Sequence, residues 1–350
     1  MNPYDFVRLA ATEPERHRPH QHHRFAGLSG RIACTLTART HLFVPRFQGG
    51  GGSMGHERLA LSRDVHRAPL IPGSSLKGVI RSVAEAASSS CFTLPRTFVY
   101  ERRKVAYELP RPFEVCPSVD RLCPACRLFG MLNRGKVFTG NVSIRDAVAP
   151  RNAPSELLTL AVLSSPKPRH TAFYSAQPDA QKPKVRGRKF YFHRPQGPLG
   201  RSQQDSQNKT VEAVKPGVVF TFEVEYENVE ERDLGLLLFA LTLWDDTCHK
   251  VGMGKPIGLG SAKIAVTELT ALDHEARYKK LGAGWQEPLR DQALADFVDE
   301  RVRPYRDSTA AHLQDLRRIL RWDESKPADV HYPDYGWFKD NPRTPLEEVP

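Results

Sequence analysis

Residues 32–44 open the ordered part of the chain: Ile32, Cys34, Leu36 and Ala38 alternate with Ala33, Thr35 and Thr37, as in a half-buried strand. Gln48 to Gly55 (QGGGGSMG) then places five glycines in eight residues, which predicts a long flexible loop. Residues 69–91 carry the clearest signal. APLIPG is an extended approach, Ser74 or Ser75 is a suitable N-cap, and Leu76, Val79, Ile80 and Val83 share one helical face, so a helix starts near Ser75. Residues 96–107 and 140–148 read as strands, and 218–226 (VVFTFEVEY) alternates strictly with Glu223 and Glu225 outward. Residues 234–244 are apolar enough for a buried helix, and 261–266 form a closing strand after a Gly-rich loop. Two further helices are expected at 288–302 and 309–322, before a Pro/aromatic tail, HYPDYGWF.

This order implies an α+β fold, an elaborated ferredoxin-like palm of the layout shared with RRM-like modules. Residues 28–268 would form the core and 269–350 a helical C-terminal extension. Residues 1–27 are Pro-, His- and Arg-rich and read as a flexible basic arm; His17, His20, His22 and His23 bind a metal there only by accident. Residues 164–209 differ from their surroundings, with ten basic against two acidic residues and several aromatics, which suggests an inserted basic hairpin lobe.

The overall charge of +11 conceals an asymmetry: residues 1–209 hold 33 basic and 14 acidic residues, and 210–350 hold 18 and 26. Opposite signs in one chain point to a polyanion partner for the first part, nucleic acid ahead of a membrane surface. No apolar run approaches the roughly 20 residues that span a bilayer, and the first residues lack a secretory core, so a cytoplasmic protein is expected. In a reducing compartment six cysteines are metal ligands or buried thiols rather than disulfides.

Three motifs carry candidate chemistry. In IPGSSLKG a helix start offers free N–H groups and a positive dipole end, Gly73 lets an anion approach, and Ser74 and Ser75 add donors. Lys77 and Arg81, four apart, can flank a phosphate; Gly78 after Lys77 excludes a Walker A loop. In VGMGKPIGLG, Lys255 among four glycines suits a backbone phosphate, while the spacing excludes a dinucleotide fingerprint. Cys116, Cys123 and Cys126 have the spacing of a structural Zn2+ site, with Cys91 as fourth ligand ahead of His66 or His170. The excursion they staple covers about residues 91–130. Redox chemistry of Cys123 and Cys126 is the rival reading, and Cys34 and Cys248 read as buried apolar residues. In the insert, Arg169 and His170 on one limb and Lys184, Arg186 and Lys189 on the other mix cations with aromatics, a pattern that neutralises phosphates and stacks on bases.

PGSSLKGVIRS, CPACRLFG and GMGKPIGLGSAKI together resemble the RAMP superfamily, whose members include RNA-binding backbone subunits of type III CRISPR effector complexes. The resemblance spans about residues 28–268. It implies a ferredoxin-like palm with a protruding hairpin, copies of the chain stacked along a guide RNA, complementary target RNA as a second partner, and contacts with other effector subunits, among them a separate nuclease. Many relatives place a cleaving aspartate before the PGSSLKG motif. Here that region offers Glu57 instead, with Asp64 as second candidate, so a cleavage role with Mg2+ or Mn2+ rests on those two residues. The expected function is a guide-binding backbone subunit; the alternatives are a metal-dependent endoribonuclease and a zinc-stabilised RNA-binding protein outside CRISPR systems.

Overall fold

In the computed structural model, which describes residues 1–46, 55–92, 98–100, 103–105, 107–162, 171–175, 177, 182–201, 203–325, 329–333, 335–341 and 343–349, the alternation of the first strand is realised as burial. Ile32, Cys34, Leu36 and Ala38 are buried, and the residues between them are half-buried. The main elements are β1 (Leu28–Ala38), β2 (Leu70–Ile71), α1 (Gly73–Ala87), α2 (Pro124–Phe129), β3 (Val142–Ile144), β4 (Ala147–Val148), β5 (Val219–Val229), α3 (Glu231–Thr242), β6 (His249–Lys250), β7 (Ser261–Ala271), α4 (Asp291–Arg306) and α5 (Ala311–Leu320). The strands form one antiparallel sheet in the order β6-β7-β1-β5-β4-β2, with β3 also pairing β5. Irregularities in register between Tyr226 and Val229, and between Val266 and Glu268, help it curl. The result is mixed α+β, a curled half-barrel with helices packed on it.

Several expectations change. β1 ends at Ala38 rather than continuing to residue 44; Leu42 instead bridges Val214, and Phe43 and Val44 turn into the core. Within 96–107, Phe98–Tyr100 and Arg103–Val105 pair with each other as a hairpin instead of forming one strand.

The first 27 residues lie against the body instead of projecting as an arm. Tyr4–Val7 pairs antiparallel with Arg188–Tyr191, and Tyr4 and Val7 are buried. Arg16 donates to the carbonyls of Pro112 and Glu114, and His17 Nε2 lies 2.8 Å from Glu230. A run this short gives too little periodicity to be read as a strand, and its register comes from the partner strand. Among the described residues Arg188–Tyr191 pairs with the N-terminal segment, while the insert's limbs bridge at Ser175 and Val185. The strand that follows the insert, Lys209–Val214, runs antiparallel to Ser155–Thr159 and parallel to Glu57–Leu59.

The C-terminal helices complete the core. α4 packs on α3 through Leu294, Val298 and Val302, and α5 packs on α1 through Leu313, Leu316, Ile319 and Leu320. Arg8 donates to Asp315 at 2.6 Å, joining α5 to the N-terminal segment.

α1 starts at Gly73, two residues earlier than its serines suggest. Pro72 has no capping side chain, and Asp146 accepts the Gly73 N–H at 2.7 Å in place of a serine cap. A Cβ on Gly73 would lie 2.1 Å from the Ile144 carbonyl, so only glycine lets the helix start this close to the sheet. Near the other end, Glu85 accepts from Arg81 and from Arg188, both at 2.8 Å, and Arg188 also donates to the carbonyls of Ser90 and Cys91.

Gly73→Ala is expected to destabilise the protein by about 1–3 kcal/mol, because the helix start must move off the sheet. Gly78→Ala, where an added Cβ meets nothing within 4 Å, should stabilise by roughly 0.5–1 kcal/mol. Urea unfolding of the two variants measures the contrast, and equal effects would contradict the packing described. Arg188→Ala removes one member of a buried ion pair and should cost about 3–5 kcal/mol by the same measurement.

Candidate nucleic-acid interface and metal centre

The turn that begins α1 faces the Gly-rich loop between β6 and β7 across an open cleft of about 680 Å³. Ser74, Ser75 and Gly78 form one wall, Gly252, Met253 and Lys255 the opposite one, and Lys189, Phe190 and Tyr191 close the side. The loop folds tightly because Gly260 takes φ +76°, where a Cβ would come within 1.9 Å of the Val251 carbonyl. Residues 255–257 form a single 3-10 turn that presents Lys255.

The electrostatics of the cleft are one-sided. Lys189, Lys250 and Lys255 line it, and among the described residues its lining contains no carboxylate. Burial lowers all three ammonium pKa values, that of Lys189 to about 8 and that of Lys250 to about 7, with Lys255 adding to the depression at Lys250. Lys189 Nζ sits 3.5 Å from the Tyr4 ring centre and 5.1 Å from that of Tyr191, so aromatic faces support its charge. His249 is neutral, pushed down to about 4 by burial, with Nε2 on the Ala240 carbonyl. Lys250, which the sequence reading did not single out, donates to the Leu259 carbonyl at 3.2 Å. Its position immediately before the Gly-rich loop was the available signal.

The other expected RNA contacts are dispersed. Lys77 Nζ donates to the Val142 carbonyl at 2.8 Å, and burial, then Arg81, lowers its pKa. Arg81 is held by Glu85 and the Gly130 carbonyl. Neither lines the cleft, since their helical face turns toward β3 and the cysteine segment rather than toward the loop. Arg186 donates to the carbonyls of Ser175 and Ala172 and pairs with Glu347. Lys184 is exposed at a bridge to Glu108. Arg169 and His170 lie outside the described residues.

Neither acidic candidate stands in the cleft. Glu57 pairs with Lys209 across the parallel strands. Asp64 closes a turn, its Oδ1 accepting the N–H groups of His66 and Ala68 at 2.9 and 2.7 Å. His56 is occupied by the Asp205 carbonyl and Thr210 Oγ1.

Cys91, Cys116, Cys123 and Cys126 converge, all buried, with their sulfurs within 4.8 Å of one another. Sγ of Cys91 is 3.5 Å from that of Cys126 and 3.6 Å from that of Cys123. Metal–sulfur bonds of about 2.3 Å in a tetrahedron need sulfurs about 3.8 Å apart, so the four thiols fit one metal ion with small adjustments. The fourth ligand position thus falls to Cys91, and His66 lies in the Asp64 turn instead. The Cys91 N–H points at Cys123 Sγ (3.5 Å) and the Cys123 N–H at Cys116 Sγ (3.3 Å), which favours charged sulfurs. Arg127, on the α2 turn that carries Cys126, makes a two-pronged buried pair with Asp233 of α3 at 2.7 Å per contact and anchors the cluster to the core.

Among the described residues no helix is long and apolar enough to cross a membrane. A search of curated proteins finds no match to this chain. The model of the RAMP superfamily matches residues 35–263, a span that contains the α1 start, all four clustered cysteines and the Gly-rich loop, and the chain belongs to that superfamily.

Proposed function

We propose that this chain is a CRISPR RNA-binding backbone subunit that assembles in copies along a guide RNA and holds complementary target RNA, leaving cleavage to another subunit. RAMP membership supports a CRISPR-associated RNA-binding role. The observation that carries the reading is the cleft, where the two motifs distant in sequence meet around three lysines and three serines with no carboxylate among the described residues. A phosphate there meets donors and positive charge without a competing acceptor. The ferredoxin-like palm belongs to this proposal, with the curled sheet in that role.

Lys255→Ala should weaken guide-RNA binding about equally across sequences, because a phosphate contact carries no base information. A change in sequence preference by filter binding would contradict the assignment. The pH dependence has a definite sign. A bound phosphate stabilises the charged lysines and raises their pKa values, so binding takes up protons between the free and bound values. Affinity should therefore fall as pH rises from about 6.5 to 9, by at most about tenfold per proton per pH unit. An affinity that is flat across this range would remove Lys189 and Lys250 from the site.

The alternative of a metal-dependent endoribonuclease finds less support, since Glu57 and Asp64 already satisfy a lysine and a turn. Purified protein incubated with guide, target and Mg2+ or Mn2+ should leave the target intact; cuts abolished by Glu57→Ala would overturn the proposal.

For the cysteine cluster we propose zinc. Four thiolates in tetrahedral array with no open position suit a structural ion and not a reacting one. Elemental analysis should find about one zinc per chain, and Cys123→Ser should lose it and melt at lower temperature. Less than half an equivalent in carefully prepared protein would sink the proposal.

A further inference from the structure

β1 is eleven residues long, roughly 30 Å, and the cleft lies beyond its Ala38 end, where Gly260 donates to the His41 carbonyl. A second concavity sits at the opposite end, where Leu272 donates to the Ser29 carbonyl. It has a volume of about 530 Å³, and its walls include Phe25, Glu227, His274, Arg277, Tyr278 and Trp285.

Its chemistry is unusual for free surface. Tyr278 is 79% exposed, Trp285 46%, and Leu281 in the same wall fully so, although large apolar side chains of this kind are ordinarily covered. Phe25 stacks on His274 with ring centres 3.7 Å apart and planes within 10°, which gives the cavity a flat aromatic wall. His274 Nε2 is screened from solvent and has no hydrogen-bond partner. Arg31 lies over the Trp285 ring at 5.1 Å. Arg277, the cation in the lining, has no acidic partner among the described residues, while Lys279 nearby is matched by Glu275. Glu227 is the one carboxylate in the lining, and it can accept from an exocyclic amino group.

We propose that this cavity takes an unpaired nucleobase of single-stranded RNA, stacked against Tyr278 and Trp285 with Arg277 on the adjoining phosphate. Aromatic walls beside unmatched cations are the arrangement that binds single strands with little sequence preference. Arg277 beside the exposed Tyr278 and Trp285 rings suits a phosphate joined to a stacked base better than an apolar protein surface. The inference rests on the RNA-binding reading and adds a second contact about one β1 length from the cleft.

The test uses the full chain and a fluorescein-labelled single-stranded oligouridylate long enough to reach both sites. Tyr278→Ala/Trp285→Ala should weaken binding about 5- to 100-fold, with unfolding unchanged because both rings lie at the surface. With 5-iodouridine in the oligonucleotide, cross-links in the unaltered protein should map to Tyr278 or Trp285. Unchanged affinity together with cross-links confined to the cleft would overturn the inference while leaving the RNA-binding reading in place. Unchanged affinity with an altered mass in sedimentation would also overturn it and assign the cavity to a contact between copies of the chain. If the unaltered protein binds neither this probe nor a guide RNA, the RNA-binding reading fails and the inference with it.

Discussion

One buried guanidinium holds the molecule's separate parts in register. Arg188 contacts Glu85 on α1, the Ser90 and Cys91 carbonyls beside the metal centre, and the Phe92 ring at 4.7 Å, while its own strand pairs with the N-terminal segment. Burial pulls its pKa down, but an arginine keeps its charge at any physiological pH. The interaction is therefore permanently ionic and directional, and it fixes how far the inserted segment can slide along α1. At the next residue of the strand, Lys189 turns its ammonium onto the Tyr4 and Tyr191 rings beside the cleft.

α1 joins two kinds of chemistry. Its first turn makes a wall of the cleft, and the segment leaving its last turn supplies the first cysteine of the cluster. Fifteen residues of helix thus join the cysteine end to the serines at the other.

Much of this was legible from short-range pattern. The period of two in β1 and β5, the apolar face of α1, the C-x-x-C spacing and the glycines around Lys255 each reflect local rules that the chain obeys in place. Cys91, chosen by its position after the first helix, joined the other three cysteines. What escaped depended on pairing at a distance. Tyr4–Val7 becomes a strand only because Arg188–Tyr191 is beside it, and Asp146 caps a helix seventy-three residues earlier in the sequence. The cations misled for a related reason. Arg81 and Arg186 read as phosphate contacts, yet each is matched to a specific glutamate and to backbone carbonyls, and composition counts charge without seeing its partners.

The buried lysines of the cleft bear on that counting. A formal charge of +11 treats every lysine as protonated, whereas Lys250 and Lys189, with pKa values near 7 and 8, are partly neutral in the empty protein near physiological pH. The cleft thus stores latent charge. The positive charge that the sequence counts at this cleft is therefore larger than the charge the folded lysines carry at neutral pH, and a fall in pH restores the difference.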